Sequence, residues 1–351
     1  MYREDVENYP KNYAKSNVDQ IIDAIDITRS LSVFAPSGFG KSSLSKYIAF
    51  NQAYKSRYYK LKKVNFVYVN LSELSAETFE ESQAMFSPVE NNKQKRFSEI
   101  LYRSFLEADR TKSTEQIQDA ILNFQNGDYK NNFYFFIEKY LKLNKGKLTI
   151  LILDNSDALN KQGFEAQKEF LKNFRDQYRT RVEYLFLIGE LTELNNLNRS
   201  KWGTLVDLIT QKILLMKMPV LEECILPMHI EESMIVYNLF TKHSSAFKER
   251  LKLIDQWSGG YPPYFKYLFR LNNLESLRNL VVDRELELSS ERLLSSLDKE
   301  HLEVLQKLVK DKKFNEKTRE GKELLQMGVI VKEAAGFRLF SPLLHHYISK
   351  N

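Results

Sequence analysis

Cysteine is almost absent from the sequence, and histidine is scarce. The 351 residues include a single cysteine, Cys224, which excludes an internal disulfide and a metal site built from cysteines. The 5 histidines are scattered, except for His345 and His346 near the end of the chain. The sequence therefore indicates no cluster of metal-binding side chains.

Long apolar runs are also missing. No run reaches the length of about 20 residues that a membrane-spanning helix needs. Residues 1–5 are polar and lack the apolar core of a signal peptide. We therefore expect a protein of the cytoplasm, a reducing compartment, with no membrane partner.

The remaining composition is typical of a soluble globular protein. Hydrophobic residues make up 43% of the chain and charged residues 28%, which is enough apolar material for a sizeable core. The length suggests about two or three domains. The net charge of +6 and the isoelectric point near 9.0 are mildly basic, which permits contact with nucleic acid without requiring it.

The most informative stretch is residues 35–43, which read Ala-Pro-Ser-Gly-Phe-Gly-Lys-Ser-Ser. An apolar run precedes it and a helix-compatible run follows it, which is the context of a phosphate-binding P-loop. Backbone N–H groups and a helix N-terminus form an anion site there. We expect nucleotide phosphates to be bound by Pro36, Ser37, Gly38, Phe39, Gly40, Lys41, Ser42 and Ser43.

Individual P-loop residues have separate expected roles. Gly38 and Gly40 let the backbone approach the phosphates, since no Cβ stands in the way. Lys41 is the catalytic cation that would contact the β and γ phosphates, and the hydroxyl of Ser42 would bind Mg²⁺. Ala35 replaces the first glycine of the usual pattern. The alternative is a glycine- and serine-rich turn that binds nothing.

A second motif follows at residues 147–157. Residues 148–153 read as a buried strand, and Asp154 stands at its carboxyl end. This is the Walker B arrangement, in which Asp154 would hold Mg²⁺ through water. The next residue is Asn155, where many P-loop ATPases have a glutamate that polarises the attacking water. Because an amide cannot act as a base, we expect slow ATP hydrolysis; Asp157 is acidic but is expected in the following turn.

Other stretches indicate how the chain is organised. A helix with a capping box at Ser16 and Asp19 is expected before the first strand. The secondary structure of residues 74–145 is the hardest to predict. Their aromatic run at 133–143 favours a helix that covers the sheet over a surface that stacks bases. Residues 222–253 have helical periodicity, and a Gly-Gly-Tyr-Pro turn at 259–262 opens another helix.

The last part of the chain, residues 297–351, reads as helix, helix, two-stranded hairpin and helix. This order is typical of a winged helix, whose second helix could enter a DNA major groove. Its basic residues are offset by acidic ones in the same helix, which favours packing over DNA reading. The two sets are Lys317, Arg319 and Lys322, and Glu316, Glu320 and Glu323.

Taken together, these motifs resemble the STAND-type and origin-recognition-like branch of the AAA+ ATPases. The resemblance covers about residues 18–347 except 74–145, and the Gly-Gly-Tyr-Pro turn and residues 340–343, Phe-Ser-Pro-Leu, are its most specific motifs after the P-loop. It implies an α/β P-loop NTPase of the ASCE/AAA+ type, with a parallel sheet in the order 5-1-4-3-2, a helical lid and a C-terminal winged helix. The corresponding divisions are 1–15, a lead-in; 16–221, the ATPase core; 222–290, the lid; and 291–351, the winged helix.

The resemblance also implies roles for three further residues. Pro262 would lie near the adenine. The strand at 182–188 would lie between the P-loop strand and the Walker B strand, so Glu190 at its tip is our candidate for activating water; the alternative is a capped turn or a surface ion pair. Arg199 lies where related ATPases have an arginine that reaches a neighbouring subunit's nucleotide, although a solvated arginine is the commoner case.

The expected function is therefore that of an ATP-binding, Mg²⁺-dependent ATPase that switches conformation between its ATP and ADP states. Such a switch implies a separate effector or sensor protein and self-association in one state. An origin-recognition or transposition-regulator ATPase that binds duplex DNA through the winged helix is the main alternative. A scaffold that binds nucleotide permanently is a third.

Overall fold

A computed structural model describes most of the chain. The described residues are Val6, Tyr9, 13–25, 29–51, 58–74, 89–109, 114–125, 129–160, 163–189, 202–218, 245–271 and 283–351. Among the helices described, none is both long enough and apolar enough to cross a membrane.

The first part of the chain alternates strands with helices. Its elements are α1 (Lys15–Ala24), β1 (Leu31–Phe34), α2 (Lys41–Phe50), β2 (Val64–Asn70), α3 (Val89–Ala108), α4 (Thr114–Gln125), α5 (Tyr129–Leu143), β3 (Leu148–Asp154), α6 (Glu165–Gln177), β4 (Val182–Ile188), α7 (Val206–Ile209) and β5 (Ile213–Leu215). Short 3₁₀ turns cover Tyr59–Lys63, Leu71–Leu74, Ser156–Asn160 and Gly203–Leu205.

The five strands form one parallel sheet in the order β2-β3-β4-β1-β5. Read from its other edge, this is the predicted order 5-1-4-3-2, and the α/β fold of a P-loop NTPase is confirmed. Every residue of β1, β3 and β4 is buried, as expected of parallel strands that are covered by helices on both faces. Because the strands are parallel, their carboxyl ends meet at one edge, where the loops after β1, β3 and β4 come together.

The stretch between β2 and β3 is the one whose secondary structure the sequence indicates least clearly. Its described residues include the helices α3, α4 and α5. Helix α3 packs against β2, and α5 packs chiefly against α3. The rings of Phe105 and Tyr140 meet edge to face with centroids 5.1 Å apart, and Phe133 is buried. The helix expected at 133–143 is therefore present, but it forms an outer layer instead of lying directly on the sheet. Phe135 on its outer side is 72% exposed.

The start of α1 differs from the prediction. The helix begins at Lys15 after Ala14, whose φ of 44° is left-handed and whose side chain caps nothing. Asp19 accepts a hydrogen bond from the hydroxyl of Tyr58, so it does not serve in a capping box. The predicted capping box is wrong because the helix begins at Lys15, before Ser16, and because Asp19 bonds Tyr58.

The described residues of the last part of the chain, 245–271 and 283–351, form helices and one hairpin. Its elements are α8 (Ser245–Ser258), α9 (Pro262–Arg270), α10 (Arg284–Ser295), α11 (Lys299–Asp311), α12 (Arg319–Met327), β6 (Ile330–Glu333), β7 (Gly336–Leu339) and α13 (Pro342–Lys350). Strands β6 and β7 pair in an antiparallel manner. Helix α10 runs without interruption across residues 290 and 291, where the sequence suggested a division between two domains.

Side-chain caps explain where most of these helices begin. Asp283, Asp298, Thr318 and Ser341 each precede a helix and accept a hydrogen bond from a backbone N–H of its first turn. Gly328 ends α12 with a φ of 77°, a conformation that favours glycine. Local sequence therefore sets these boundaries to within a few residues.

Candidate functional site

The P-loop joins the central strand β1 to helix α2. Gly38 and Gly40 have φ values of +86° and +82°, in the left-handed region that residues with a Cβ rarely adopt. Gly40 is the residue before the first turn of α2, and that helix runs for 10 residues. The loop thus directs the N-terminus of a helix at the edge of the sheet where anions bind most readily.

Lys41, the first residue of α2, folds back over the loop. Its Nζ donates hydrogen bonds to the carbonyl oxygens of Ala35 at 2.5 Å and Pro36 at 3.2 Å. Burial lowers the pKa of Lys41 to about 8, and the negative charges of Asp157 and Asp154 oppose this shift. The site therefore contains a buried cation with two carboxylates nearby.

Asp154 ends β3 and is 1% exposed. Its Oδ2 accepts a hydrogen bond from the hydroxyl of Tyr68 at 2.7 Å, and its Oδ1 accepts one from the backbone N–H of Asn155 at 3.0 Å. Tyr68 lies on β2, in register with Ile152 of β3, so the neighbouring strand orients the carboxylate. Each oxygen keeps a further lone pair for another contact.

Asn155 points away from the P-loop. Its backbone is left-handed, with a φ of 57°, and its Nδ2 donates to Oδ1 of Asn70 at 3.1 Å. Asn70 ends β2, on the side of β3 that is opposite to β4 and β1. Asn155 therefore ties the ends of β2 and β3 together, and its amide is directed towards Asn70.

Asp157 is the acidic side chain that the tertiary structure brings to Lys41. The 3₁₀ turn Ser156–Asn160 returns it to the tip of β4, where the N–H of Gly189 donates to its Oδ2 at 2.7 Å. A Cβ on Gly189 would lie 2.9 Å from that oxygen and 3.6 Å from Nζ of Lys41. Sequence reasoning placed Asp157 in the turn but missed that the turn folds back towards the P-loop.

The oxygen donors present fit Mg²⁺. The hydroxyl of Ser42 stands in the first turn of α2, and the charge of Asp154 acts on the neighbouring Lys41. Mg²⁺ in nucleotide sites is bound by one or two protein oxygens, the phosphates and water. Within the described residues, no group of three or more histidine, cysteine, aspartate or glutamate side chains could hold a metal ion, so a cage made of protein alone is not formed there.

The C-terminal half of the chain covers the P-loop. The hydroxyl of Tyr261 lies 3.1 Å from the carbonyl oxygen of Ser37 and 3.3 Å from that of Ser289. The N–H of Ser37 in turn donates to Oγ of Ser296 at 3.3 Å. A Cβ on Gly38 would lie only 2.4 Å from the hydroxyl of Tyr261. Glycine is therefore required at residue 38 for a second reason, the close approach of this tyrosine.

A cavity of about 430 Å³ lies between the P-loop and these helices. Its polar side chains include a lysine and an arginine, and its walls come from the N-terminal segment, the P-loop, and helices α9 and α10. The lining residues are Tyr13, Ala14, Gly38, Phe39, Gly40, Ser43, Leu44, Met216, Pro262, Pro263, Lys266, Glu285, Leu288, Ser289 and Arg292.

The Gly-Gly-Tyr-Pro turn links α9 and α10, the helices that cover the P-loop, to the C-terminal hairpin. A Cβ on Gly259 would lie 2.2 Å from the carbonyl oxygen of Phe340. The ring of Tyr261 lies between those of Phe39 and Phe340, with centroid distances of 6.3 Å and 5.9 Å. Oγ of Ser341 donates to the carbonyl oxygen of Trp257 at 2.6 Å. A continuous line of contacts thus runs from the P-loop to the end of β7.

The structure brings together those residues of the expected site that it describes. Residues 36–43, Asp154 and Pro262 all lie around the P-loop or its adjoining cavity. Glu190 and Arg199 lie outside the described residues. Sequence reasoning did not single out Tyr13, Lys266 and Arg292, which line the cavity, because no local sequence pattern marks them.

Comparisons with known proteins give only distant structural likenesses. No protein-family model and no curated protein matches the chain. A Walker-type ATPase of Pyrococcus abyssi matches 99% of this chain and 97% of its own at 17% identity, with a TM-score of 0.41.

Two proteins of Aeropyrum pernix are also similar. ORC2, in ADPNP-ADP complexes, matches at 12% identity with a TM-score of 0.37, and ORC1, in complex with DNA, matches at 11% with 0.36. Each alignment covers 96% of this chain and 92% of the other. Both TM-scores lie below 0.5, so these likenesses are distant.

Proposed function

We propose that this protein is an AAA+ ATPase of the STAND or origin-recognition-like kind, which binds ATP with Mg²⁺ and changes conformation with its nucleotide state. The observation that carries the proposal is the meeting of three parts at one edge of the sheet. These are the P-loop with Lys41, the carboxylate of Asp154, and the covering residue Tyr261. A loop that only bound phosphate would not need a covering residue such as Tyr261.

The phosphates would occupy the P-loop. Backbone N–H groups of residues 37–43 would donate to their oxygens, and Lys41 would exchange its carbonyl partners for the β and γ phosphates. Ser42 and Asp154 would hold Mg²⁺, which neutralises charge on the phosphates when it is bound. A cation that already lies buried in the loop needs little rearrangement to do this.

The base and ribose would occupy the cavity beside the loop. Pro262 and the ring of Tyr13 offer apolar surfaces, and Lys266 and Arg292 add positive charge near the phosphates. An apolar cleft with a few polar groups is the usual form of a small-molecule site. The preference for adenine is drawn from the family resemblance.

The change of conformation would act through α9 and α10, the helices that cover the P-loop. Ser37 is bonded both to Tyr261 and to Ser296, so a nucleotide that moves the loop must also act on α9 and α10. Tyr261 in turn packs against Phe340. These contacts join the P-loop to the last hairpin, so a change at one could reach the other. The family resemblance implies that ADP favours the closed arrangement and ATP an open one. The open form would bind a separate effector or sensor protein, or a second copy of this chain.

Hydrolysis is expected to be slow. Asn155 cannot act as a base, and Glu190 stays our sequence-based candidate for that role. Arg199 is the corresponding candidate for reaching a neighbouring subunit's nucleotide. With a slow chemical step, the ATP state would persist long enough to act as a signal.

ATP binding and turnover by the purified protein test the proposal, with Lys41→Ala as the blank. The exposed Lys63 provides a matched control, Lys63→Ala. We expect tight ATP binding and a turnover number below the usual enzyme range of about 1–1,000 per second, both abolished only in Lys41→Ala. Binding of ATP without any turnover above the blank would leave a nucleotide-bound scaffold. Absence of ATP binding would refute the proposal.

Duplex DNA is the second candidate partner, and exposed lysines favour it. If α11, α12, β6, β7 and α13 form a winged helix, the corner between α11 and α12 is a basic surface on it, with the exposed residues Lys307, Lys310, Lys312, Lys313 and Lys317. Three other basic residues of this part form ion pairs: Arg319 with Glu323, Lys332 with Glu316, and Arg338 with Glu333. This pattern suits phosphate contacts better than base reading.

The DNA hypothesis is tested by binding to random-sequence duplex over a range of salt. If the lysines between α11 and α12 contact DNA phosphates, affinity falls steeply with salt. The slope of log binding constant against log salt concentration is then about −0.9 per phosphate neutralised. Substituting Lys312 and Lys313 with alanine should then reduce that slope by about 2 units. Equal slopes in both proteins would exclude this surface.

A further inference from the structure

Three groups converge at the tip of β4: the Lys41 ammonium, the Asp157 carboxylate and the backbone of Gly189. The position that a Cβ on Gly189 would take lies 2.9 Å from Oδ2 of Asp157 and 3.6 Å from Nζ of Lys41. Glycine is the residue that leaves this space open. Asp157 therefore stands beside the cation that the proposed function assigns to the β and γ phosphates.

The conformation of Asp157 is held by its surroundings. Its Oδ2 accepts the hydrogen bond from the N–H of Gly189 at 2.7 Å. The turn that carries it is closed by two further bonds, from the N–H of Ala158 to the carbonyl of Asn155 at 3.0 Å and from Oγ of Ser156 to the carbonyl of Leu153 at 2.6 Å. A side chain that is fixed in this way is suited to orienting a small molecule.

The two residues that precede it in the motif are engaged elsewhere. Asp154 accepts hydrogen bonds from Tyr68 and from the N–H of Asn155, and the proposed function assigns it to Mg²⁺. The amide of Asn155 donates to Asn70 on the far side of β3. The carboxylate on the β4 side of this loop, towards the P-loop, is that of Asp157.

We propose that Asp157 orients the water that attacks the γ-phosphate and accepts its proton, in place of the missing acid at residue 155. This inference rests on the proposed ATPase function. The water oxygen forms a bond to the γ-phosphorus while the bond from that phosphorus to the β,γ-bridging oxygen breaks. The electron pair of that bond leaves with ADP, and the water's proton passes to Asp157 and then to the released phosphate.

The decisive experiment compares wild type with Asp157→Asn in single-turnover hydrolysis and in equilibrium binding of ATP and of ADP. An asparagine keeps the acceptor for the N–H of Gly189 but cannot accept a proton. Removing a proton acceptor typically slows such a step by about 100- to 10,000-fold. We expect kcat to fall in that range, KM to change by less than about threefold, and ATP to bind at least as tightly because a negative charge near the phosphates is removed.

Three further variants define the result. Asp119→Asn, an exposed aspartate on α4, should behave as wild type. Asp157→Glu retains a carboxylate and should recover part of the rate. Gly189→Ala, whose Cβ would displace Asp157, should lower kcat while ATP binding persists; it tests the same idea if Asp157→Asn fails to fold.

Each outcome decides a different question. A wild-type rate in Asp157→Asn and in Gly189→Ala would overturn the role of Asp157 while leaving the ATPase proposal intact. A loss of turnover in Glu190→Gln together with wild-type turnover in Asp157→Asn would assign the base to residue 190 instead. No turnover by the wild type above the Lys41→Ala blank would overturn the proposed hydrolysis and this inference together.

Discussion

The hydroxyl of Tyr261 lies 3.1 Å from the carbonyl oxygen of Ser37, so a side chain from the C-terminal half closes directly over the P-loop. Burial and the neighbouring Tyr264 raise the pKa of Tyr261, while Arg292 opposes the shift. The hydroxyl therefore stays protonated at neutral pH and can donate to this carbonyl. Through this contact, the helices that cover the P-loop can respond directly to whatever binds in the loop.

Tyr261→Phe should separate this hydrogen bond from the packing of the ring. We expect a destabilisation of about 1 kcal/mol, the usual size for one neutral hydrogen bond, together with a changed ratio of ATP to ADP affinity. Tyr264→Phe is the matched control, because its hydroxyl pairs with Ser290 and not with the P-loop. Urea unfolding and nucleotide titration measure both effects. An affinity ratio that changes equally in both variants would show that the Ser37 contact is not special.

Gly259→Ala should uncouple the C-terminal hairpin from the Gly-Gly-Tyr-Pro turn. Its φ of +59° is left-handed, and its Cβ would lie 2.2 Å from the carbonyl oxygen of Phe340. The control is Gly146→Ala, where φ is +87° and, among the described residues other than its two neighbours, no atom lies within 4 Å of the added Cβ. The control should cost about 1–2 kcal/mol for its backbone conformation alone.

In Gly259→Ala, crowding should add a further cost of about 1–3 kcal/mol to that of the control. Thermal unfolding of the two variants measures the difference. Protease cleavage between α13 and the rest of the chain should become faster only in Gly259→Ala. Equal destabilisation of the two variants would mean that the close approach of Phe340 contributes nothing.

The raised pKa of His301 predicts how the free energy of unfolding depends on pH. Burial lowers its pKa, but hydrogen bonds to Glu323 and Asp298 raise it by more, so the net shift is upward. A group whose folded-state pKa is raised adds stability that is fully present below its ordinary pKa of about 6.5 and is lost as the pH rises through the folded value. Arg319, which also bonds Glu323, faces the same cluster.

The free energy of unfolding should therefore decrease as the pH rises above about 6.5 and through the raised pKa of His301, and His301→Gln should flatten this decrease. His346→Gln, at an exposed histidine of α13, is the control and should keep the wild-type slope. Burial raises the pKa of Glu323, but its bonds from His301 and Arg319 lower it by more. Its contribution is present above its ordinary pKa of about 4.3 and is lost as the pH falls through the folded value. A wild-type slope in His301→Gln would refute the assignment.

The buried ion pair of Arg175 and Glu183 should dominate the stability of the β4 side of the sheet. Nη2 of Arg175 lies 3.0 Å from Oε1 of Glu183, and Oγ of Ser30 donates to Oε2 at 2.9 Å. Glu183→Ala leaves the guanidinium buried without this partner and should cost about 3–5 kcal/mol. Replacing both residues with methionine should cost much less.

An exposed pair provides the comparison for that experiment. Glu138 and Lys142 lie 3.6 Å apart on the surface of α5, with side chains 50% and 77% exposed. Glu138→Ala should change the unfolding free energy by no more than about 0.5 kcal/mol, because water screens the pair. If Glu183→Ala cost no more than this in urea unfolding, the buried pair would not have the role given to it here.

Short-range patterns were sufficient for much of this protein. The glycine spacing of the P-loop and the apolar run before Asp154 each involve a few neighbouring residues, and the structure has the corresponding elements at those places. The order of the strands followed from the family resemblance. The predicted capping box at Ser16 failed because Asp19 bonds Tyr58, a partner far away in sequence.

The sequence by itself determined that a strand, a glycine loop and a helix form a P-loop, and that an aspartate ends a buried strand. Only the tertiary structure decided which side chains meet there. Asn155 turns to β2 and Asp157 to β4, and neither direction can be read from two polar residues in one turn. Such choices depend on the register of parallel strands and on packing between distant segments, because a contact between residues 41 and 157 exists only after the sheet has formed.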